Sequence, residues 1–147
     1  MRIPTGRPEA SACVRGGEEA PRLRGTVNFY TVSGGTLVTA EIRGLPQNDT
    51  GFFAFHIHEG KRCCGADFAE TGGHFNPGQQ THPRHAGDLP PLLSDGGCAS
   101  AAFVTGRFTP REVVGRTVVI HNSADDFRTQ PAGNSGKKIA CGVIRRG

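Results

Sequence analysis

Tryptophan is absent from this 147-residue chain, and methionine and tyrosine occur once each. Apolar residues make up only 35%. No apolar run approaches the roughly 18 residues that a membrane-crossing helix needs, so no membrane partner is expected. The opening stretch, residues 1–8, lacks the apolar segment of a signal peptide. The chain therefore reads as soluble, without an export signal, and as cytoplasmic unless a leader has been removed. A single tyrosine offers little for stacking bases, and the 17 lysines and arginines are scattered, so no nucleic-acid partner is expected. Histidine is scarce as well, with six in all.

What is present is glycine (22) and proline (10), a balance that favours short strands and irregular connections over long helices. The length suits one domain. Net charge is +4, which fits a solvated basic surface or a focused field that draws in a small anion. Five cysteines are an odd number, so at least one is unpaired within the chain.

Several segments alternate with period two, the pattern of half-buried strands. Val27 and Phe29 share a face in 26–31, and Val38, Ala40 and Ile42 do so in 36–43. Phe53, Phe55 and Ile57 line one side of 52–58, and Val118 and Ile120 one side of 117–121. Ile139, Cys141 and Val143 are the apolar set of 139–144. Shorter candidates are 10–15 and 98–108, and Gly34-Gly35 reads as a hairpin turn. Residues 1–9 read as a tail. Two long connections, 60–97 and 122–137, interrupt the strands, and connections of that length in a compact domain are usually functional or disordered.

Parity sets the histidines apart. His56 and His58 face away from Phe53, Phe55 and Ile57, and His121 opposes Val118 and Ile120, so three imidazoles project from the outer wall. His74 lies in Gly72-Gly73-His74-Phe75-Asn76-Pro77, and His82, His85 and Asp88 follow at three-residue steps. Singly, these could be a surface pair, a hydrogen-bonded loop histidine and a polar turn. Together they are seven metal donors, imidazole being the commonest ligand of zinc and copper. Seven are too many for one tetrahedral ion, so two metals sharing a ligand are expected.

At this point the chain resembles the copper/zinc superoxide dismutase family. The resemblance rests on 55–59, 72–77, 84–89, 119–126 and 133–144, and with the first strands it covers nearly all of 10–145. It implies an all-β Greek-key barrel or sandwich of about eight antiparallel strands, with two long loops over the outer wall and one domain spanning 10–147. It further implies copper on His56, His58, His74 and His121, zinc on His74, His82, His85 and Asp88, and His74 bridging the two. Asp125 matches a carboxylate linking a copper histidine to a zinc histidine. A disulfide from the long loop to Cys141 is implied, with Cys63 the better partner and Cys64 its competitor. Cys13 and Cys98 are expected to be small buried side chains. The implied reaction converts superoxide to dioxygen and hydrogen peroxide, with His74 and Lys138 as the catalytic residues. Lys138 departs from the family, which has arginine there. It keeps the charge and loses the planar fork, so activity is expected to be retained, at the same or a lower rate.

Other readings compete. A cupin-like metal site would use His56 and His58 with Asp67 or Glu70, and it leaves His82, His85 and Asp88 unexplained, as does a single-metal zinc hydrolase. A dismutase-like domain that binds copper and zinc without turnover is the non-enzymatic rival. Monomer and homodimer are both compatible with the sequence.

Overall fold

The computed structural model describes residues 4–147; of the expected tail, residues 1–3 lie outside the described residues. The strands are β1 (Ala10–Gly16), β2 (Arg24–Val32), β3 (Gly35–Arg43), β4 (Phe52–Phe53), β5 (Phe55–His58), β6 (Leu92–Leu93), β7 (Ala99–Thr105), β8 (Thr117–His121) and β9 (Lys138–Arg146). Seven of them form one antiparallel sheet in the order β5-β8-β9-β1-β2-β3-β7, which curls into a half-barrel. β4 leads into β5 through Ala54, and its partner β6 packs beside β7, so this short pair links the two free edges of the sheet.

The strand parities place the core. Val27, Phe29, Val38, Ala40, Ile42, Phe53, Phe55, Ile57, Val118 and Ile120 all belong to one buried cluster. Each large side chain in it contributes about 1.5–3 kcal/mol of burial. The first hairpin turns on Ser33 and Gly34, with Gly35 already paired to Val32. Gly34 takes φ 90°, a left-handed conformation that a side chain would strain.

Three expectations are corrected. On β9 the apolar parity is reversed at Cys141: it stands opposite exposed Arg15, so Cys141 and Val143 point outward while Ala140 and Ile144 enter the core with Ile139. Cys13 and Cys98 are exposed, since Cys13 lies opposite Thr26 on the outer wall. Finally, the 60–97 connection is not free of sheet pairing. His58 bridges His74 and His56 bridges Asp88, and Ile57 exchanges backbone bonds with both Phe75 and Gly87 (2.8 Å each). The loop thus runs back along the exposed edge of β5.

Candidate metal centre

The pairing along β5 delivers His74 and Asp88 to the face where His56 and His58 project. His121 arrives from β8 at a register shift between Ile120 and His121, a bulge that re-aims the last side chain of the strand. All six histidines are at most 8% exposed. The sheet alone would leave them wet; the two long loops cover them.

Ring-nitrogen partners divide the donors into two groups. His58 Nδ1 donates to the Gly72 carbonyl (2.8 Å) and His121 Nδ1 to the Gly136 carbonyl (3.2 Å). A carbonyl only accepts, so both protons sit on Nδ1 and each neutral ring keeps a bare Nε2. Those two Nε2 atoms face each other at 3.2 Å, where neither can donate. Asp125 accepts from His56 Nε2 (2.9 Å) and His82 Nε2 (2.7 Å), which leaves both Nδ1 atoms buried without a hydrogen-bond partner. His74 Nδ1 lies 2.7 Å from Asp88 Oδ1 and 3.1 Å from His85 Nδ1, while its Nε2 is also buried and unpartnered. Buried orphan nitrogens and lone pairs set against each other are costly in a folded protein. A cation between them removes the cost, so the donor set fits bound metal.

His56, His58, His74 and His121 offer nitrogens that all lie within 4.8 Å of one another; His56, His74, His82 and Asp88 form a second such group. His56 and His74 are common to both. His85 falls outside the second grouping, yet its Nδ1 is 3.1 Å from both His74 Nδ1 and Asp88 Oδ2, and His82 Nδ1 is 3.1 Å from Asp88 Oδ2. His85 therefore lies within reach of the second group's donors without being a member of it. Asp67 and Glu70, the acids of the cupin-like reading, are exposed on a 3-10 segment (Ala66–Thr71) and join neither group.

Burial favours the neutral form of His56, His58, His85 and His121. Burial depresses His56, and it depresses His58 further, with His121 and His74 adding to the effect at His58. Burial, then His56, brings His121 to about 3. Burial pushes the Asp125 carboxyl up, but hydrogen bonds from His56 and His82 overrule it and hold the group at about 2. Histidines whose folded pKa is depressed bind fewer protons than the unfolded chain, so acid favours unfolding. The metal-free protein should therefore lose stability steadily as pH falls from about 6.5 toward 3, with a further loss below about 4 from Asp125. A urea midpoint that stays flat between pH 7 and 4 would contradict these depressed values.

Lys138, paired with His121 across the bulge, donates from Nζ to Thr71 Oγ1 (2.8 Å) and to the Gly72 carbonyl (3.0 Å). Gly72 thereby orients both His58 and Lys138. An ammonium has three protons, so one remains for an anion. Cys63 and Cys141 form the disulfide that ties this loop to β9; Cys64 is free.

Two residues that hold the site escaped the sequence reading. Gln130 clamps the backbone of His82, accepting from its N–H (2.8 Å) and donating to its carbonyl (2.7 Å). Arg107 Nη1 donates to the Pro83 and His85 carbonyls (2.8 and 3.1 Å). Neither has the residue type of a ligand, and the separation of 48 positions between His82 and Gln130 carries no pattern linking them. Gln130→Ala removes both clamp bonds and should speed metal loss to a chelator about tenfold, at the lower end for an orienting group. Unchanged release would assign the clamp to packing alone.

Similarity to known proteins agrees with this geometry. Residues 23–144 match the family model described as copper/zinc superoxide dismutase. A superoxide dismutase (Cu-Zn) of Deinococcus radiodurans is 37% identical, over 87% of this chain and 80% of its own length. Superoxide dismutase (Cu-Zn) 2 of Aquifex aeolicus is 38% identical over 82% and 78%. Superoxide dismutase (Cu-Zn) 3 of Arabidopsis thaliana is 33% identical over 98% and 94%. With a family match across most of its length and a fold of the same class, the chain belongs to the copper/zinc superoxide dismutase family.

Proposed function

We propose that this chain disproportionates superoxide, with copper held by His56 Nδ1, His58 Nε2, His74 Nε2 and His121 Nε2. Zinc is held by His74, His82 and His85 through Nδ1 and by Asp88. The observation that carries the reading is the division of ring nitrogens. Each of His56, His58, His82 and His121 spends one nitrogen on the protein and turns the other to a shared centre, while His74 turns one to each. Copper, when bound, supplies a one-electron couple, so that one superoxide leaves as dioxygen and a second, with two protons, leaves as hydrogen peroxide.

The chain's own residues do the rest. His74 Nε2 carries one of the two protons, holding it only while that nitrogen is not spent on copper and giving it up in the second half-reaction, with the other proton coming from solvent. The zinc-side donors hold that ring by its other nitrogen, so the proton is delivered at a fixed point. Asp125 fixes the tautomers of His56 and His82 together, coupling the two halves of the site. Lys138 keeps one N–H for the incoming anion and so supplies the guiding charge. All seven donors come from one chain and lie within 10–147, so the reading needs one domain and no second subunit.

The testing experiment is a dismutation assay on protein loaded with copper and zinc, set beside an equal amount of free copper. Turnover well above free copper is expected. Binding of both metals with no excess turnover would favour the non-enzymatic rival. Lys138→Ala should slow turnover several-fold and flatten its dependence on ionic strength. An unchanged salt profile would take the guiding role from Lys138.

A further inference from the structure

The outer wall of the barrel carries a row of arginines that the metal centre does not use. Arg15 stands opposite Arg24, and Arg24 opposite Arg43, in the β1–β2–β3 register. Residues opposite each other share a face, so three guanidinium groups leave the sheet along one line at the strand spacing of about 4.8 Å. All three are exposed. Among the described residues, the one ion pair made by a lysine or arginine is Lys137 with Glu19, so none of the three has a carboxylate partner. The nearby Glu41 accepts from Ser100 instead. Like charges placed directly opposite destabilise a sheet. A local rule broken without compensation inside the fold points to a requirement outside it.

We propose that this row is a docking site for a linear, base-free polyphosphate. The three arginines border a groove of about 450 Å³ that also includes Thr26, Glu41 and Ser100. The row is about 10 Å long, from two strand spacings, more than one tetrahedral anion can span. A chain of phosphates can, and guanidinium forks match phosphate oxygens in pairs. No aromatic side chain lines the groove, so bases have nothing to stack on. The large exposed apolar side chains, Phe52, Leu93, Val104 and Phe127, also lie outside it, which leaves no anchor for a bilayer. β9 separates β1, the near end of the row, from the histidine-bearing strands β8 and β5.

The test is binding of labelled long-chain inorganic polyphosphate to the metal-loaded protein at several salt concentrations. Salt-sensitive binding is expected. Arg24→Gln, at the middle of the row, and Arg43→Gln should each weaken it about tenfold and lower the salt slope by about one. Arg111→Gln, an equal loss of charge on the short helix Pro110–Val113, should leave binding within about twofold. Dismutation by the Arg24 variant should be unchanged, which confirms folding. Three outcomes overturn the proposal: no binding at low salt; equal weakening by all three substitutions, which would mean net charge alone; or tighter binding of duplex DNA or phosphatidylglycerol vesicles with the same dependence on Arg24.

Discussion

Replacing His121 by alanine should abolish dismutation while zinc stays bound. His121 reaches the site from β8, touches only the first donor group, and shares no hydrogen bond with His82, His85 or Asp88. Its removal leaves His58 Nε2 without its opposite and opens a gap beside Lys138. The loss in turnover should exceed the roughly 10–100-fold typical of altering an orienting partner, because a direct donor is gone. Zinc content by elemental analysis should remain near one per chain. Loss of zinc together with copper would show that the two groups are not divided as proposed.

Asp125→Ala should act on both metals at once. One carboxylate holds His56 on the copper side and His82 on the zinc side, and it is anchored by the Phe127 N–H (2.8 Å). Alanine leaves two buried Nε2–H groups unsatisfied and lets both rings turn, so affinity for each metal should fall about 10–100-fold. Asp125→Asn preserves the shape, but an amide offers one acceptor oxygen for two donors, so it should weaken one metal more than the other. Competition against a chelator, metal by metal, reads this directly. Weakening of copper alone by the alanine variant would mean that Asp125 does not couple the sites.

Much of this arrangement is legible in the sequence, for a physical reason. Strand parity places His56, His58 and His121 on the outer wall because strong apolar residues occupy every alternate position of β5 and β8. β9 reads with the wrong parity because two of its middle positions, Ala140 and Gly142, are small. A side chain at Gly142 would run into the Cys13 carbonyl, so the inward face reads as weakly apolar while the outward face carries Cys141 and Val143. Residue type predicts burial for Cys13 and Cys98, but Cys13 sits on the outer face of β1 and Cys98 at the turn before β7, and both are exposed. The edge pairing of 72–89 along β5 was hidden because it depends on backbone bonds, which leave no side-chain period. The choice of Cys63 over adjacent Cys64 rests on the path of the loop, one residue deciding which thiol meets β9.

The most direct test of the shared-histidine centre is electron paramagnetic resonance of the protein carrying copper(II) in both pockets. A ring of His74 joining the two ions should couple their spins and suppress the signal well below that of two isolated coppers, and His74→Ala should lift the suppression. Two full-strength, independent copper signals in the unaltered protein would contradict a bridge through His74.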